Sequence, residues 1–375
     1  MGLLMLLFLS AWLATIVHAV YNKRHILWLP ATTAGTAVQP LISVIIPARN
    51  EARDVQATLD SLLHQEGVNL EIIAVNDHSQ DATGRIIDNA ARCDSRLRVI
   101  HHPPLEPGWL GKANAMRAGL EQAAGEYILF SDADIIHHPR SLISAFSEMR
   151  QRNYDLISCL PFLKIRLFWE HAMLPMLIAG LTKLVPEKRQ QDPNRPDAMA
   201  SGALILVRRD VLRQIGDLQA IRGNMADDVA LAREVKHAGF RTGYRFGPEL
   251  MSIEMFKNNR EAFVSTTKNI LLVIEESIWL APLIPFYTFL LFWLPLYLLA
   301  KGIWQQDLLL AGAGLSVYLV QYLSLFITRG LFSFRPLKAL AFPLAAAVVA
   351  YCLSRAYVLR LQGKIEWRGR TIRIR

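Results

Sequence analysis

Short apolar runs alternate with longer amphipathic stretches between Pro40 and Gly125. Strand-like runs cover Leu41 to Pro47, Glu71 to Asn76, Leu97 to His101 and Tyr127 to Ser131, and helix-like stretches cover Ala52 to Gln65, Ala82 to Arg92 and Lys112 to Ala124. This alternation is typical of βαβ units around a parallel sheet. The pattern therefore predicts an α/β domain, which we place at residues 40–270.

Long apolar runs near both ends of the chain form a second pattern. Gly2 to Val20 contains no Asp, Glu, Lys or Arg, and further runs cover Trp279 to Ala300, Leu308 to Ile327 and Leu337 to Leu359. A helix needs about 20 apolar residues to cross a hydrocarbon core roughly 30 Å thick. We therefore expect a transmembrane anchor at residues 1–22 and membrane segments within residues 279–359.

The N-terminal run has an alternative interpretation as a cleaved signal peptide, because Val17-His18-Ala19 resembles a cleavage site. Against it, no Lys or Arg precedes the run, whereas Lys23 and Arg24 follow it. Positive residues tend to stay on the cytoplasmic side of a membrane segment. This arrangement favours an anchor followed by a cytoplasmic domain.

The net charge of +9 has its densest part in a basic tail at residues 360–375. Basic clusters beside a membrane segment bind anionic lipid head groups, so we expect a membrane and not nucleic acid as the polyanion.

Three full membrane crossings after a cytoplasmic domain would place this basic tail outside the cell, against the positive-inside trend. Either the tail is an exception or one run is re-entrant or interfacial. Pro282, Pro285 and Pro295 make the run from Trp279 the first candidate.

Residues 161–186 combine aromatic and aliphatic side chains with cations, which is typical of helices lying in a membrane interface. A core helix pair broken at Pro175 is an equal alternative. The polar stretch from Glu187 to Asp197 predicts a loop. The three scattered cysteines indicate neither a disulfide framework nor a zinc site, and a reducing compartment fits them.

Two aspartates, Asp132 and Asp134, follow the apolar run that ends at Ser131. Ligands of open parallel sheets bind beyond the carboxyl ends of the strands. Carboxylates at this place suit a divalent cation together with a diphosphate, although a solvated turn would also explain the doublet.

Three further segments carry candidate site residues. Asp77 ends a predicted strand and suits a base N–H or ribose hydroxyls, or else it is a turn or helix-capping residue. Lys112 opens a helix after Gly108 and Gly111, which suits a diphosphate or is a structural turn. Asp227 and Asp228 begin another helix, where the helix dipole alone would explain them or one of them acts as a general base.

Together these features resemble the family 2 glycosyltransferases. The resemblance rests on five motifs in order: Ser43 to Glu51, the Asp77 segment, Gly111 to Ala115, Ser131 to Asp134, and Asp227-Asp228. The flanking apolar runs, Phe168-Trp169-Glu170 and the closing Gly363 to Arg370 resemble the membrane-bound, lipid-modifying branch, which includes hopanoid-associated and carotenoid-acid glycosyltransferases and, more distantly, ceramide glucosyltransferases.

The resemblance implies a GT-A fold, with a Rossmann-like mixed sheet, and a role for each matching residue. Donor binding would involve Pro47, Arg49, Glu51, Asp77, Lys112 and Asp132, and the divalent cation, Mg²⁺ or Mn²⁺, would bind Asp132 and Asp134. Asp228 would be the general base beside Asp227, and Ser201 and Gly202 would form a wall of the acceptor site.

Two departures from the family pattern narrow the expected activity. The common Glu-Asp pair is Asp227-Asp228 here, which leaves the role of the first carboxylate open. The Gln-x-x-Arg-Trp motif of processive synthases is missing, which favours transfer of a single sugar. We therefore expect an inverting, metal-dependent transferase that uses a UDP-sugar and a lipid acceptor in the bacterial inner membrane. The alternatives are a processive polysaccharide synthase and an inactive, membrane-tethered nucleotide-binding module.

Overall fold

The computed structural model describes residues 27–32, 40–175, 197–274, 283–328, 335–367 and 370–373, with isolated positions at 10, 13, 14, 17, 195, 332 and 333. Except for those isolated positions, the predicted N-terminal anchor lies outside the described residues. Most of the predicted loop at 187–197 also lies outside them. The chain divides into two compact units. One contains Ile26–Leu163 and Val185–Ile253, and the other contains Met1–His25, Lys164–Leu184 and Glu254–Arg375.

The described helices and strands of the first unit follow one another along the chain. They are β1 (Leu41–Ala48), α1 (Val55–Leu63), β2 (Asn69–Asn76), α2 (Thr83–Cys93), β3 (Leu97–His101), α3 (Gly111–Gln122), β4 (Tyr127–Phe130), β5 (Ile135–His137), α4 (Ser141–Arg152), β6 (Leu156–Leu160), β7 (Phe162–Lys164), β8 (Ile205–Arg208), α5 (Arg209–Gln214), α6 (Asp227–His237), β9 (Thr242–Phe246) and β10 (Met251–Glu254). The predicted strands and helices of residues 41–130 are confirmed, with shifts of a few residues at their ends.

The main sheet has seven strands in the order β3-β2-β1-β4-β8-β6-β9. Strands β1 to β4 are mutually parallel where they pair, whereas β8 runs antiparallel to both β4 and β6. A smaller sheet has the order β5-β10-β7. The fold is therefore α/β with a mixed sheet, as the resemblance implied, whereas the apolar pattern alone predicted a parallel sheet.

The core lies on both faces of the main sheet. Along β1, Ile42, Val44 and Ile46 belong to one buried cluster, and Ile45 belongs to another that also contains Ile128 and Phe130. Successive side chains of a strand point to opposite faces, so a nearly continuous apolar strand must be covered twice. Helices cover both faces and leave the carboxyl ends of the strands for polar residues.

The second unit contains the remaining elements. They are α7 (Asn259–Ile274), α8 (Leu283–Trp304), α9 (Leu308–Ser324), α10 (Pro336–Ala339), α11 (Phe342–Gln362) and a hairpin of β11 (Lys364–Trp367) and β12 (Arg370–Arg373). Helix α8 packs against α9 and α11, and α7 packs against α11. The predicted basic tail thus includes the end of α11 and this hairpin. Of the segment at 161–186, the structure describes β7 and a helical turn at residues 170–175.

Two helices, Pro285–Trp304 and Phe342–Gln362, are long and apolar enough to cross a bilayer, as are some core helices of soluble proteins. The run from Leu308 forms a shorter helix of 17 residues, which ends before a 3-10 turn at Leu325–Thr328. From Leu283 onward, the run that begins at Trp279 forms a helix of 22 residues, which contains Pro295. Its expected re-entrant or interfacial placement stays a prediction.

A neighbouring side chain explains why α8 continues through Pro295. Proline has no N–H, so the carbonyl of Leu291, four residues earlier, loses its helical partner. The buried Gln321 of α9 supplies the missing donor, because its Nε2 lies 3.1 Å from Leu291 O. A polar residue in an apolar helix thus repairs the hydrogen bonding of its neighbour.

We expect Gln321→Leu to lower the stability of the protein in detergent, by about 1–3 kcal/mol, because it leaves the Leu291 carbonyl buried without a donor. Pro295→Ala restores an N–H at the helix, so the double variant should recover most of that loss. Thermal unfolding of the four proteins in this double-mutant cycle measures the effect, with the exposed Gln305→Leu as a control. Additive losses in the double variant would contradict this explanation.

Candidate functional site

The carboxyl ends of β1, β2 and β3 lie side by side at one edge of the main sheet. The register aligns Ala48 with Asn76 and Asn76 with His101. The next residues, Arg49, Asp77 and His102, therefore leave the sheet next to one another. The predicted donor residues Arg49 and Asp77 contact each other. Arg49 Nη1 donates to the backbone carbonyl of Asp77 at 3.0 Å and lies 3.9 Å from Oδ2 of the Asp77 side chain.

Lys112 is the centre of a second group at the same edge. Its Nζ lies 2.9 Å from Asp132 Oδ1 and 3.1 Å from Asp227 Oδ2. The three residues come from the first turn of α3, the loop after β4 and the first turn of α6. The N–H of Leu110 donates to Arg222 O at 2.7 Å, which joins the loops that precede α3 and α6. The fold thus brings together three of the predicted site residues.

Gly202 connects this group to Asp228. The N–H of Asp132 donates to Gly202 O at 2.9 Å, and the N–H of Gly202 donates to Asp228 Oδ2 at 3.2 Å. A Cβ at position 202 would lie only 2.5 Å from Asp132 Oδ2. Only glycine therefore allows the backbone to approach the Asp132 carboxylate without displacing it.

The charges of this group shift the pKa values of its members. Burial lowers the pKa of Lys112, but the carboxylates of Asp132, Asp227 and Asp228 outweigh burial, and the pKa is raised overall. Burial, and next the charge of Asp227, raise the pKa of Asp228 to about 6, although Lys112 and the Val229 N–H oppose them. Lys112 is therefore cationic, and Asp228 changes charge near neutral pH.

The loop that carries Asp132 rests on buried polar side chains. Ser131 Oγ lies 3.0 Å from His137 Nε2 and donates to Ala203 O at 3.1 Å. His137 Nδ1 lies 3.3 Å from Ser141 Oγ, which donates to Gln65 Oε1 at 3.1 Å. Burial lowers the pKa of His137 to about 3, so its imidazole is neutral. Sequence reasoning missed this support, because a histidine in a three-residue strand has no distinctive pattern.

Asp77 is also held from its other side. It is 3% exposed, and His78 Nδ1 lies 3.1 Å from its Oδ1. Asp81 accepts the N–H of Thr83 at 3.0 Å and so supports the start of α2. Ser79 Oγ accepts the N–H of Asn50 at 3.0 Å, which links the loops after β1 and β2.

The remaining predicted residues lie around these two groups. Pro47 lines a small pocket with Lys112, Asp132, Gly202 and Asp227. Glu51 is 3% exposed, and its N–H donates to Thr83 Oγ1 at 2.8 Å, beside the loop of Asp77. The Ser201 N–H donates to Ser158 Oγ at 2.8 Å, which fixes the backbone next to Gly202.

The oxygen donors at this edge fit a hard divalent cation. Asp132 is partly exposed beside Lys112, and Asp134 is half-buried immediately before β5. Within the described ranges, no three Asp, Glu, His or Cys side chains form a group that holds a metal ion by itself. Mg²⁺ commonly binds one or two carboxylates and takes its other ligands from phosphates and water. Asp132 and Asp134 are two carboxylates one residue apart in the chain, which is the number that such an incomplete site takes from the protein.

Several known proteins are similar to this chain. It is 34% identical over 120 residues to the uncharacterized glycosyltransferase EpsJ of Bacillus subtilis (strain 168), covering 32% of this chain and 33% of EpsJ. It is 30% identical over 156 residues to the 4,4'-diaponeurosporenoate glycosyltransferase of Staphylococcus haemolyticus (strain JCSC1435), covering 41% of this chain and 40% of that protein. These alignments thus span about a third to two fifths of the relatives' length.

Similarity of fold extends over more of the chain. The mannosyltransferase PcManGT from Pyrobaculum calidifontis, solved in complex with GDP-Man and Mn²⁺, has a TM-score of 0.56 to this structure at 17% identity. The superposition covers 95% of this chain and 97% of that one. At this identity the likeness concerns the fold alone, and it supports the predicted GT-A architecture.

The matching family model is glycosyl transferase family 2, over residues 43–216. This range contains the motifs at Ser43 to Glu51, Asp77, Lys112 and Asp132 from which the resemblance was inferred. The resemblance is therefore confirmed, and the chain carries a family 2 glycosyltransferase domain.

Proposed function

We propose that this chain is an inverting glycosyltransferase that moves one sugar from a nucleotide-sugar donor to a lipid at a membrane surface. The observation that carries the proposal is the convergence of Asp132, Asp227 and Asp228 around Lys112 at the carboxyl edge of a family 2 domain. Such an edge is where open α/β sheets bind nucleotides. The group combines carboxylates for a cation and a base with an ammonium for phosphate.

Asp228 is the proposed general base. Backbone N–H groups of Gly202 and Val229 fix its two carboxylate oxygens at 3.2 and 2.8 Å. With a pKa of about 6, it is mostly ionised at neutral pH and still basic enough to accept a proton from a hydroxyl in the transition state. The hydroxyl oxygen then forms a bond to the anomeric carbon as the bond to the diphosphate breaks. Attack from the face opposite the leaving group inverts that carbon.

Lys112 is the proposed partner of the donor's diphosphate. In the structure its ammonium is shared between Asp132 and Asp227. A Lys at the first turn of a helix adds a point charge to the N–H groups of that turn, which is a favourable arrangement for phosphate. Asp132 and Asp134 would hold a divalent cation, which when bound neutralises charge on the leaving diphosphate.

A lipid acceptor and a membrane location are supported by the second unit. Large apolar side chains of α8 are exposed, including Leu283, Phe286 and Tyr287, which are 62%, 67% and 64% exposed. Exposed apolar surface of this kind suits lipid. The similar protein of Staphylococcus haemolyticus is named a 4,4'-diaponeurosporenoate glycosyltransferase. We place the chain in the bacterial inner membrane, with the catalytic domain cytoplasmic and Ser201 and Gly202 on the acceptor side.

The direct test supplies purified protein in nanodiscs with UDP- or GDP-sugars, Mg²⁺ or Mn²⁺, and a bacterial lipid extract. We expect one sugar to be added to a lipid, as mass spectrometry will show. Asp228→Asn should lower the turnover by about 10²- to 10⁴-fold while nucleotide binding is retained, because it removes the base alone. Asp60→Asn, a change on the exposed face of α1, serves as the matched control. An active Asp228→Asn variant would refute the proposed base.

We expect Gly202→Ala to lower kcat/KM by about 10- to 100-fold, because a methyl group displaces the Asp132 carboxylate from its position beside Lys112. The melting temperature should change little, since Asp132 is partly exposed. Gly312→Ala is a matched control, because a Cβ at position 312 meets no atom within 4 Å. Normal activity in Gly202→Ala would show that the close approach is irrelevant to catalysis.

The pH profile of kcat/KM should rise with pH through a pKa near 6, because Asp228 acts as a base only when ionised. Asp227→Asn removes a negative charge that raises the pKa of Asp228. The rising limb should therefore move to lower pH in that variant, even if the maximal rate falls. A limb that stays in place or moves to higher pH would exclude this coupling.

A further inference from the structure

Strand β9, the last strand in the order of the main sheet, carries two aromatic side chains on one face. It is parallel to β6, and β6 and β4 both run antiparallel to β8, so β9 ends at the same carboxyl edge as β4. Tyr244 and Phe246 are two residues apart on β9 and therefore point to the same face. Both side chains are partly exposed, and their ring centroids lie 5.5 Å apart.

Trp28 continues this series of aromatic side chains beyond β9. It forms a parallel bridge with Phe246. In this bridge the N–H of Phe246 donates to Leu27 O at 2.9 Å, and the N–H of Leu29 donates to Phe246 O at 2.8 Å. The rings of Trp28 and Phe246 lie 6.2 Å apart, and Trp28 is 44% exposed. Backbone bonds alone would cover the edge of β9, so they do not explain a large apolar side chain on this outer surface.

The three side chains form an aromatic row, which consists of Tyr244, Phe246 and Trp28, and its inner end adjoins the candidate site. Tyr244 pairs in register with Ser158 of β6. Ser158 Oγ accepts the N–H of Ser201 at 2.8 Å and donates to Ser201 O at 3.2 Å.

The charge of the proposed base also reaches Tyr244. Burial, and next the charge of Asp228, raise the pKa of the Tyr244 phenol. Ser201, which we placed on the acceptor side, and Asp228 are thus both close to the same ring. The aromatic row therefore leads from the proposed acceptor side of the site to the outer edge of the sheet.

The aromatic row lies outside the part of the chain that the family model matches. That part covers residues 43–216, whereas Trp28 precedes it and β9 follows it. The family match therefore assigns no role to these side chains. The rings are inclined at 76° and 60° to their neighbours, so they offer no common plane to a flat ligand. A flexible hydrocarbon chain needs apolar contact and no common plane.

The place of Trp28 in the sequence favours a lipid as this ligand. Trp28 comes eight residues after Val20, the end of the apolar run that predicts a membrane anchor. Eight residues span at most about 28 Å, so an anchor in the bilayer would keep Trp28 within that distance of it. Tryptophan is enriched at membrane interfaces because its ring is apolar and its N–H is polar. The row thus has the proposed base at one end and a residue suited to a lipid surface at the other.

We propose that the aromatic row of Trp28, Phe246 and Tyr244 binds the hydrocarbon chain of the lipid acceptor next to its reactive group. This inference rests on the proposed function, because it assumes a lipid acceptor. The row holds the first methylene groups of the chain out of water while the hydroxyl of the lipid reaches Asp228. Burial of these methylene groups contributes to the affinity for the acceptor and leaves the affinity for the donor unchanged.

The experiment measures initial rates of sugar transfer by the full-length protein in nanodiscs, with increasing mole fractions of a bacterial lipid extract. We expect Trp28→Ala to raise the KM for the extract by about 4- to 15-fold, the effect of one or two methylene groups losing their buried contact. The kcat and the KM of the donor should stay unchanged. Trp28→Phe should restore most of the affinity. Leu105→Ala is the matched control, because Leu105 is an apolar residue of the same unit and is 46% exposed.

Trp28→Lys separates contact with the acceptor from attachment to the membrane. Lysine also suits a membrane interface, because its stem lies along apolar surface while its ammonium reaches the head groups. A tryptophan that only attached the domain to the bilayer would therefore tolerate lysine. In the aromatic row, lysine should raise the KM for the extract at least as much as alanine does, because an unpaired charge opposes burial of a hydrocarbon chain.

The remaining outcomes separate the aromatic row from the proposed function. A normal KM for the extract in Trp28→Ala or Trp28→Lys, or an equal rise in the KM of the donor, would overturn the row while the transferase activity of the wild type stands. If the wild type transfers sugar to water-soluble oligosaccharides, and Trp28→Ala weakens that reaction, the row binds a glycan and the lipid assignment is wrong. If the wild type transfers no sugar to the lipid extract, the proposed function fails as well.

Discussion

The contact of one ammonium with carboxylates from separate parts of the chain is the interaction on which the site depends. Lys112 lies within 3.1 Å of both Asp132 and Asp227, and Asp228 adds a further negative charge. Without the Lys112 ammonium, these partly buried carboxylates would repel one another. The site retains excess negative charge, which is the condition under which a divalent cation is attracted. The ammonium therefore holds together a group that is also suited to receive a metal and a diphosphate.

Backbone approach is the second constraint on this arrangement. Gly202 accepts the backbone N–H of Asp132 and donates its own N–H to the Asp228 carboxylate, so one residue links the Asp132 backbone to the Asp228 side chain. Behind Asp132, the neutral His137 and its hydroxyl partners satisfy buried polar atoms without adding a charge.

The second unit follows different physical rules. Its helices are apolar around much of their surface, and their polar residues bond to backbone atoms of neighbouring helices. Gln321 satisfies the carbonyl that Pro295 leaves free, and Trp293 Nε1 donates to Pro343 O at 2.9 Å. Such bonds matter most where water is excluded. The Gln321 bond explains how α8 continues through Pro295.

Local patterns in the sequence were sufficient to predict the elements of residues 41–130 and the types of residue at the site. Alternating apolar positions defined the strands, and acidic residues after them marked the carboxyl edge, because both signals are local. The tertiary structure shows that Lys112 contacts both Asp132 and Asp227, that the Gly202 backbone lies against the Asp132 carboxylate, and that His137 supports the loop that carries Asp132. It also decided that Pro295 does not interrupt α8, since Gln321 is 26 residues away in sequence. Contacts between distant segments depend on register and packing, which no local pattern encodes.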